Sequence, residues 1–229
     1  MVLYVSLGRR YDSNKEINTE SKYMIKIGVT GSIGMGKTTV TKMMQEMGIA
    51  IHNADLAVAR FLSAGGIAVE QVQKLFPETV LKDKNGKNFI DKQALGKIVF
   101  YNKNKKSQLE EILHPLVKVD SDKFVKDMGE QGYNIVAFEI PLLFETHRDK
   151  DMSCSICVSC SPDNQRLRML DRPSMTPEKF DAIVAEQMLD SEKRELSDYV
   201  LLNDGSLKDT KQNLEEILKL IKERFKNQL

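Results

Sequence analysis

Residues 31–38 read Gly-Ser-Ile-Gly-Met-Gly-Lys-Thr, which satisfies the pattern G-x-x-x-x-G-K-[ST]. The flanks constrain the fold as much as the match does. Ile25-Lys26-Ile27-Gly28-Val29-Thr30 before it is a β-prone run, and Thr39 to Met47 after it predicts a helix closed by Gly48. Strand, glycine loop and helix in that order make a phosphate cradle. The glycines let backbone N–H groups turn inward around a β-phosphate, and the helix N-terminus adds a favourable dipole. Ser32, Ile33, Gly34, Met35, Gly36, Lys37, Thr38 and Thr39 are therefore the candidate nucleotide contacts. Lys37 is expected at the β- and γ-phosphates, and the Thr38 hydroxyl at Mg²⁺. A ligand-free Gly-rich turn is the bland alternative; spacing, flanks and the Lys-Thr pair argue against it.

Apolar runs with strand character recur at Ile25–Thr30, Ile49–His52, Asn134–Ile140, Ser153–Ser159 and Tyr199–Leu202. Helical segments separate them, which predicts an α/β fold: a five-stranded parallel sheet with helices on both faces. The strands' C-terminal ends then share one edge with the glycine loop, and ligands bind at that edge. Between the second and third strands, residues 56–132 show almost no strand signal. Asp91 caps a predicted helix through Phe100, and Ser107 opens another that His114-Pro115 interrupts and Leu116 to Met128 continues. Asp83-Lys84-Asn85-Gly86 reads as a turn. A second helical insertion spans residues 162–197. Asp163 to Leu170 is helical with Arg166, Arg168 and Arg172 on or just after it, and Thr176-Pro177 opens a helix to Leu189. A basic helical flap between two core strands suits a lid over phosphates, although a solvated charged helix pair reads equally well from charge alone. Leu207 to Leu229 carries Leu214, Ile217, Leu218, Ile221 and Phe225 on one face and reads as a core-packing helix. The nucleotide-binding core is thus 24–55, 133–161 and 198–229.

The net charge of +1 gives no global pull toward nucleic acid or a membrane surface. No apolar stretch reaches bilayer-spanning length, so a soluble, cytoplasmic protein is expected, a monomer or weak homo-oligomer. Residues 1–23 lack periodicity and a secretory or transit pattern, and read as a disordered tail or over-extended start. Cys154, Cys157 and Cys160 have metal-like spacing, but they fall on a predicted strand. Alternation there points Cys157 away from the other two, which makes them small apolar fillers in a reducing compartment.

Two acids end predicted strands. Asn53-Ala54-Asp55 closes the second. Asp55 there is placed to orient an acceptor hydroxyl and take its proton late, or to cap the helix that follows. Val136-Ala137-Phe138-Glu139 is an apolar run ending in an acid that supports Mg²⁺ or its waters. With Leu113-His114-Pro115-Leu116, Pro141-Leu142-Leu143-Phe144-Glu145, the arginines Arg168 and Arg172, Thr176, Ala185-Glu186-Gln187 and Tyr199 to Ser206, the ordered set resembles the dephospho-coenzyme A kinase family over about residues 24–225. The resemblance implies a P-loop NTPase three-layer sandwich and a reaction in which ATP phosphorylates the ribose 3′-hydroxyl of dephospho-CoA, giving CoA and ADP. It implies that Asp55 sits at that hydroxyl and that Lys37 and Arg172 bracket the migrating phosphoryl group. Arg168 assists at the nucleotide, 56–132 becomes the CoA-side domain with His114 near the acceptor, and 162–197 becomes the lid. Without it, His114-Pro115 reads as a helix kink with a packed imidazole.

Two positions depart from the family pattern. Asn53 stands where the family has Asp, and Arg60 lies one residue later than the usual arginine, about 100° around a helix. The rival readings are another small-metabolite P-loop kinase, for nucleoside monophosphate, shikimate or gluconate, and a nucleotide-switched binding protein. The first lacks the Pro-Leu-Leu-Phe-Glu and His-Pro-Leu set. The second, as a GTPase, needs an Asn-Lys-x-Asp element that this chain does not carry within its core strands.

Overall fold

The structure, a computed structural model, describes residues 24–100, 102–173 and 175–228. The expectation for residues 1–23 lies outside these. The described residues divide into two units, one formed by those of 24–52 and 128–228, the other by those of 53–127.

The first unit is built on a five-stranded sheet of β1 (Ile25–Thr30), β2 (Ala50–Asn53), β5 (Ile135–Glu139), β6 (Cys154–Ser159) and β7 (Tyr199–Leu202), in the order β2-β5-β1-β6-β7. The sheet is parallel. β1 lies centrally, with Val29 opposite Glu139 on one side and Ile156 on the other. One face packs under α1 (Lys37–Glu46) and α9 (Leu207–Arg224). Ile25, Ile27 and Val29 meet Val40, Met43 and Met44 there, and Ile156, Val158 and Leu201 join Leu214, Ile217, Leu218 and Ile221. Each such side chain stabilises the fold by about 1.5–3 kcal/mol through area removed from water. α9 is held at its start by a capping box, Ser206 with Asp209. On the opposite face, a Cβ at Gly28 would stand 3.0 Å from the Leu143 side chain, so the Pro-Leu-Leu-Phe-Glu run covers the second side of β1. Cys154 and Cys157 lie on β6, whereas Cys160, expected on the same strand, falls just after it and rests on Met35. All three are buried and unpaired, and burial pushes the Cys154 and Cys157 thiols up to about 12.

After β6 the chain makes α6 (Pro162–Leu170), α7 (Pro177–Ala185) and α8 (Asp190–Leu196) before β7. Ser161 caps α6 and Thr176 caps α7, each with proline in the first turn. The helix expected to run to Leu189 stops at Ala185. Residues 186–189 are not helical, and α8 follows.

The second unit contains α2 (Ala54–Phe61), α3 (Val69–Leu75), β3 (Val80–Lys82), β4 (Asn88–Ile90), α4 (Lys92–Phe100) and most of α5 (Lys103–Glu130). It has its own core, in which Phe61, Val72, Phe76, Ile90, Leu95, Leu113 and Val117 are buried. Two expectations need correction. The segment is not purely helical, because β3 and β4 form an antiparallel ribbon around the Asp83–Lys87 turn. His114-Pro115 does not interrupt α5, which runs 28 residues with Pro115 inside it and begins at Lys103 rather than Ser107. Proline removes one helical hydrogen bond and crowds the preceding turn; Pro115 is exposed, while Leu113 and Val117 on the buried side hold the helix in register.

Candidate active site

The phosphate loop follows directly from β1. Gly36 is the N-cap of α1 at φ 96°, a left-handed conformation that strains any residue with a Cβ. A Cβ there would also collide with the Asn203 amide nitrogen, and one at Gly31 would collide with the Val158 carbonyl of β6. The two outer glycines of the pattern are therefore demanded by both conformation and space.

Lys37, the first residue of α1, lays its Nζ back across the loop and donates to the Gly31 carbonyl at 2.7 Å and the Ser32 carbonyl at 3.1 Å. The ammonium thus already lies over the loop in which the amides converge. Thr38 Oγ1 donates to Glu139 Oε1 at 2.9 Å, and Thr41 Oγ1 donates to Glu139 Oε2 at 3.0 Å. The buried carboxylate at the end of β5 is held on both oxygens by consecutive-turn threonines of α1. A hydroxyl against a carboxylate is a hard oxygen pair of the kind Mg²⁺ takes. Among the described residues no group of three or more His, Cys, Asp or Glu forms a metal cage.

The segment between β6 and β7 fastens itself to the loop at several points. Gln165 Nε2 of α6 donates to the Ile33 carbonyl at 2.7 Å, and Gln187 Oε1 accepts from the Ile33 amide at 3.0 Å. Arg168 donates through Nη2 to the Asn203 carbonyl at 2.6 Å. Its Nη1 is buried without a partner among the described residues and lies 3.7 Å from where a Gly36 Cβ would stand. A buried guanidinium nitrogen left open beside the loop's last glycine is a ready donor for a phosphate oxygen. Arg172 follows α6 and is exposed.

Asn203 escaped the sequence reading as an individual residue. Its Nδ2 donates to the Met35 carbonyl at 2.9 Å, its Oδ1 accepts from Thr210 Oγ1 at 3.0 Å, and its amide donates to the Ser159 carbonyl at 2.7 Å. One side chain just past β7 thus ties the phosphate loop to α9. Its only sequence signal is an amide residue directly after a strand that ends at the ligand edge.

In the second unit, Asp55 lies exposed in the first turn of α2, where a carboxylate also favours the helix dipole. The cap is not Asp55. Asn53 Oδ1 accepts from the Leu56 amide at 3.0 Å and takes that role, which leaves Asp55 uncommitted to capping. Asn and Asp cap equally well, so the departure from the family's acid preserves the local structure. Asn53→Asp is expected to leave stability within about 0.5 kcal/mol and Asn53→Ala to cost about 1 kcal/mol, both read from urea unfolding midpoints. His114 is exposed on α5 rather than packed. Arg60 makes a two-pronged contact with Asp120 of α5 at 2.8 and 3.0 Å, so its guanidinium is engaged within the unit.

A central strand, a glycine loop with its lysine and a strand-end acid gripping the loop's threonine define the P-loop nucleotide-binding proteins. The dephospho-CoA kinase family profile matches residues 25–209. The chain belongs to that family. It is 40% identical over 195 residues to the dephospho-CoA kinase of Brucella melitensis, covering 85% of this chain and 94% of that one. It is 36% identical to the Rhodopseudomonas palustris enzyme, again covering 85% of this chain and 94% of that protein. Among solved structures, a Thermus thermophilus protein superposes with a TM-score of 0.73 at 30% identity, covering 86% of this chain and 97% of its own. Campylobacter jejuni dephospho-CoA kinase superposes at 0.62 with 26% identity, covering 86% and 96%. The P-loop three-layer sandwich and the enzyme class expected from the sequence are both borne out.

Proposed function

We propose that this protein transfers the γ-phosphoryl group of ATP to the ribose 3′-hydroxyl of dephospho-CoA, giving CoA and ADP. The observation that carries the reading is the phosphate loop with Lys37 over it and Thr38 held to Glu139, in a chain of this family. The bond between the γ-phosphorus and the β,γ-bridging oxygen breaks, a bond to the 3′-oxygen forms, ADP keeps the bridging oxygen, and the hydroxyl proton leaves through Asp55.

Such a transfer needs alignment and charge neutralisation more than covalent chemistry. The loop amides and Lys37 bind the β- and γ-phosphates, and Arg168 and Arg172 approach the transferring group from the segment between β6 and β7, which serves as the lid. Thr38 and, through water, Glu139 would hold Mg²⁺, which when bound neutralises phosphate charge. Asp55 orients the hydroxyl, and His114 with the 53–127 unit serves the acceptor. No helix among the described residues is long and apolar enough to cross a membrane. We assign the protein to the cytoplasm, where its three buried thiols stay reduced, acting on two soluble nucleotides without nucleic acid or membrane partners.

The test is ADP release from ATP and Mg²⁺ with dephospho-CoA, AMP or shikimate as acceptor. Release that depends on dephospho-CoA alone supports the reading. Turnover on AMP or shikimate without response to dephospho-CoA overturns it.

A further inference from the structure

Lys193 of α8 is the one lysine among the described residues that is wholly buried. Its Nζ donates to the Pro141 carbonyl at 2.7 Å and pairs with Glu145 Oε1 at 2.7 Å. These two partners bracket the Pro-Leu-Leu-Phe-Glu run, and both lead to the phosphate site. The Pro141 carbonyl also accepts from Thr30 Oγ1 at 3.2 Å, the last residue of β1 before the glycine loop. Glu145 Oε1 also accepts from the Met188 amide at 3.0 Å. Met188 follows Gln187, whose side chain holds the Ile33 amide of the loop. One ion pair, with its lysine wholly buried and its glutamate half-buried, therefore joins three pieces of backbone: the entry to the phosphate loop, the exit of β5 beyond Glu139, and the stretch by which the chain returns from α7.

Such a pair is a poor source of stability, because desolvating the lysine and most of the carboxylate costs about what their attraction returns. Burial raises the Glu145 carboxyl, but the hydrogen bond from Lys193 and the amides of Glu145 and Met188 outweigh it and hold its pKa below the usual carboxylate value. The carboxylate is thus kept ionised as the acceptor around which the other groups are arranged. Fixed geometry is what such a cluster adds.

We propose that Lys193 and Glu145 are positioning residues that register the returning segment Gln187–Leu189 against the phosphate loop, so that the helical segment before it closes over ATP only in the arrangement that excludes water. The proposal rests on the kinase reading above. Without the register, the γ-phosphoryl group is misaligned with its acceptor and exposed to water, and the enzyme hydrolyses ATP unproductively.

Lys193→Met with Glu145→Gln in one chain removes the charge pair without leaving either ion alone. Gln187→Leu cuts the next link toward the loop and keeps the pair. Measured are circular dichroism, ATP affinity, kcat, KM for dephospho-CoA, and ADP released per CoA formed. Expected for the double variant is a folded protein with ATP affinity within about threefold of the parent, kcat lower by about 10-fold or more, and more than one ADP per CoA. Gln187→Leu is expected to raise the same ratio, and it decides the matter should the double variant fail to fold. Parental kcat with one ADP per CoA in the folded variants overturns the clamp. A parent enzyme that ignores dephospho-CoA overturns the kinase reading instead.

Discussion

Lys37→Ala is expected to lower kcat/KM for ATP by about 100- to 1,000-fold, the usual cost of removing one preorganised charge from a developing transition state. The lysine is the first residue of α1, and in the structure its ammonium rests on the Gly31 and Ser32 carbonyls. From there it meets phosphate oxygens by exchanging one set of acceptors for another, with little reorganisation. Losing it leaves β1, α1 and the core between them intact, because the fold rests on Val29, Val40 and Met44 rather than on this side chain. Melting temperature should therefore stay near that of the parent while turnover falls. Lys37→Arg should fail almost as completely, since a planar fork does not replace a compact ammonium among converging carbonyls. Near-parental turnover in the alanine variant would remove Lys37 from the mechanism.

Asp55→Asn carries the second large effect. The substitution keeps the shape and removes the charge, and it should lower kcat by about 10²- to 10⁴-fold, the range for a positioned proton acceptor. ATP affinity should stay unchanged, because Asp55 is assigned to the acceptor. The cap of α2 belongs to Asn53, so the substitution leaves that cap in place. Isothermal titration with ATP and steady-state assays with dephospho-CoA separate the two readouts. A parental kcat would sink the role given to Asp55, and a weakened ATP affinity at full kcat would move it to the donor side.

What the sequence reveals differs by element, for physical reasons. β1 and β7 were legible to the residue because short apolar runs sit between polar breaks, and the buried face of α9 was legible because its apolar residues keep a helical period over several turns. β3 and β4 were not: three residues each are too few for alternation to show. The first turn of α5 is Lys103-Asn104-Lys105-Lys106, with no apolar period to mark it. Its start is set by Asn102, whose side chain accepts from the Lys105 amide. The break between α7 and α8 follows from contacts no local pattern encodes, since the Gln187 side chain and the Met188 amide are fastened to Ile33 and Glu145. The phosphate loop is local chemistry and could be read directly. Its supports, Glu139 on Thr41, Asn203 on Met35 and Lys193 on Pro141, join residues far apart in sequence. They become visible only when the sheet order brings β5, β6 and β7 around β1.

The measurement that bears most directly on the central claim is product analysis by mass spectrometry and phosphorus NMR after incubation with ATP, Mg²⁺ and dephospho-CoA. The account predicts one product, CoA, with a single new phosphomonoester on the ribose 3′-oxygen, formed in step with ADP. Inorganic phosphate in place of CoA, or a phosphomonoester at another position, would contradict it.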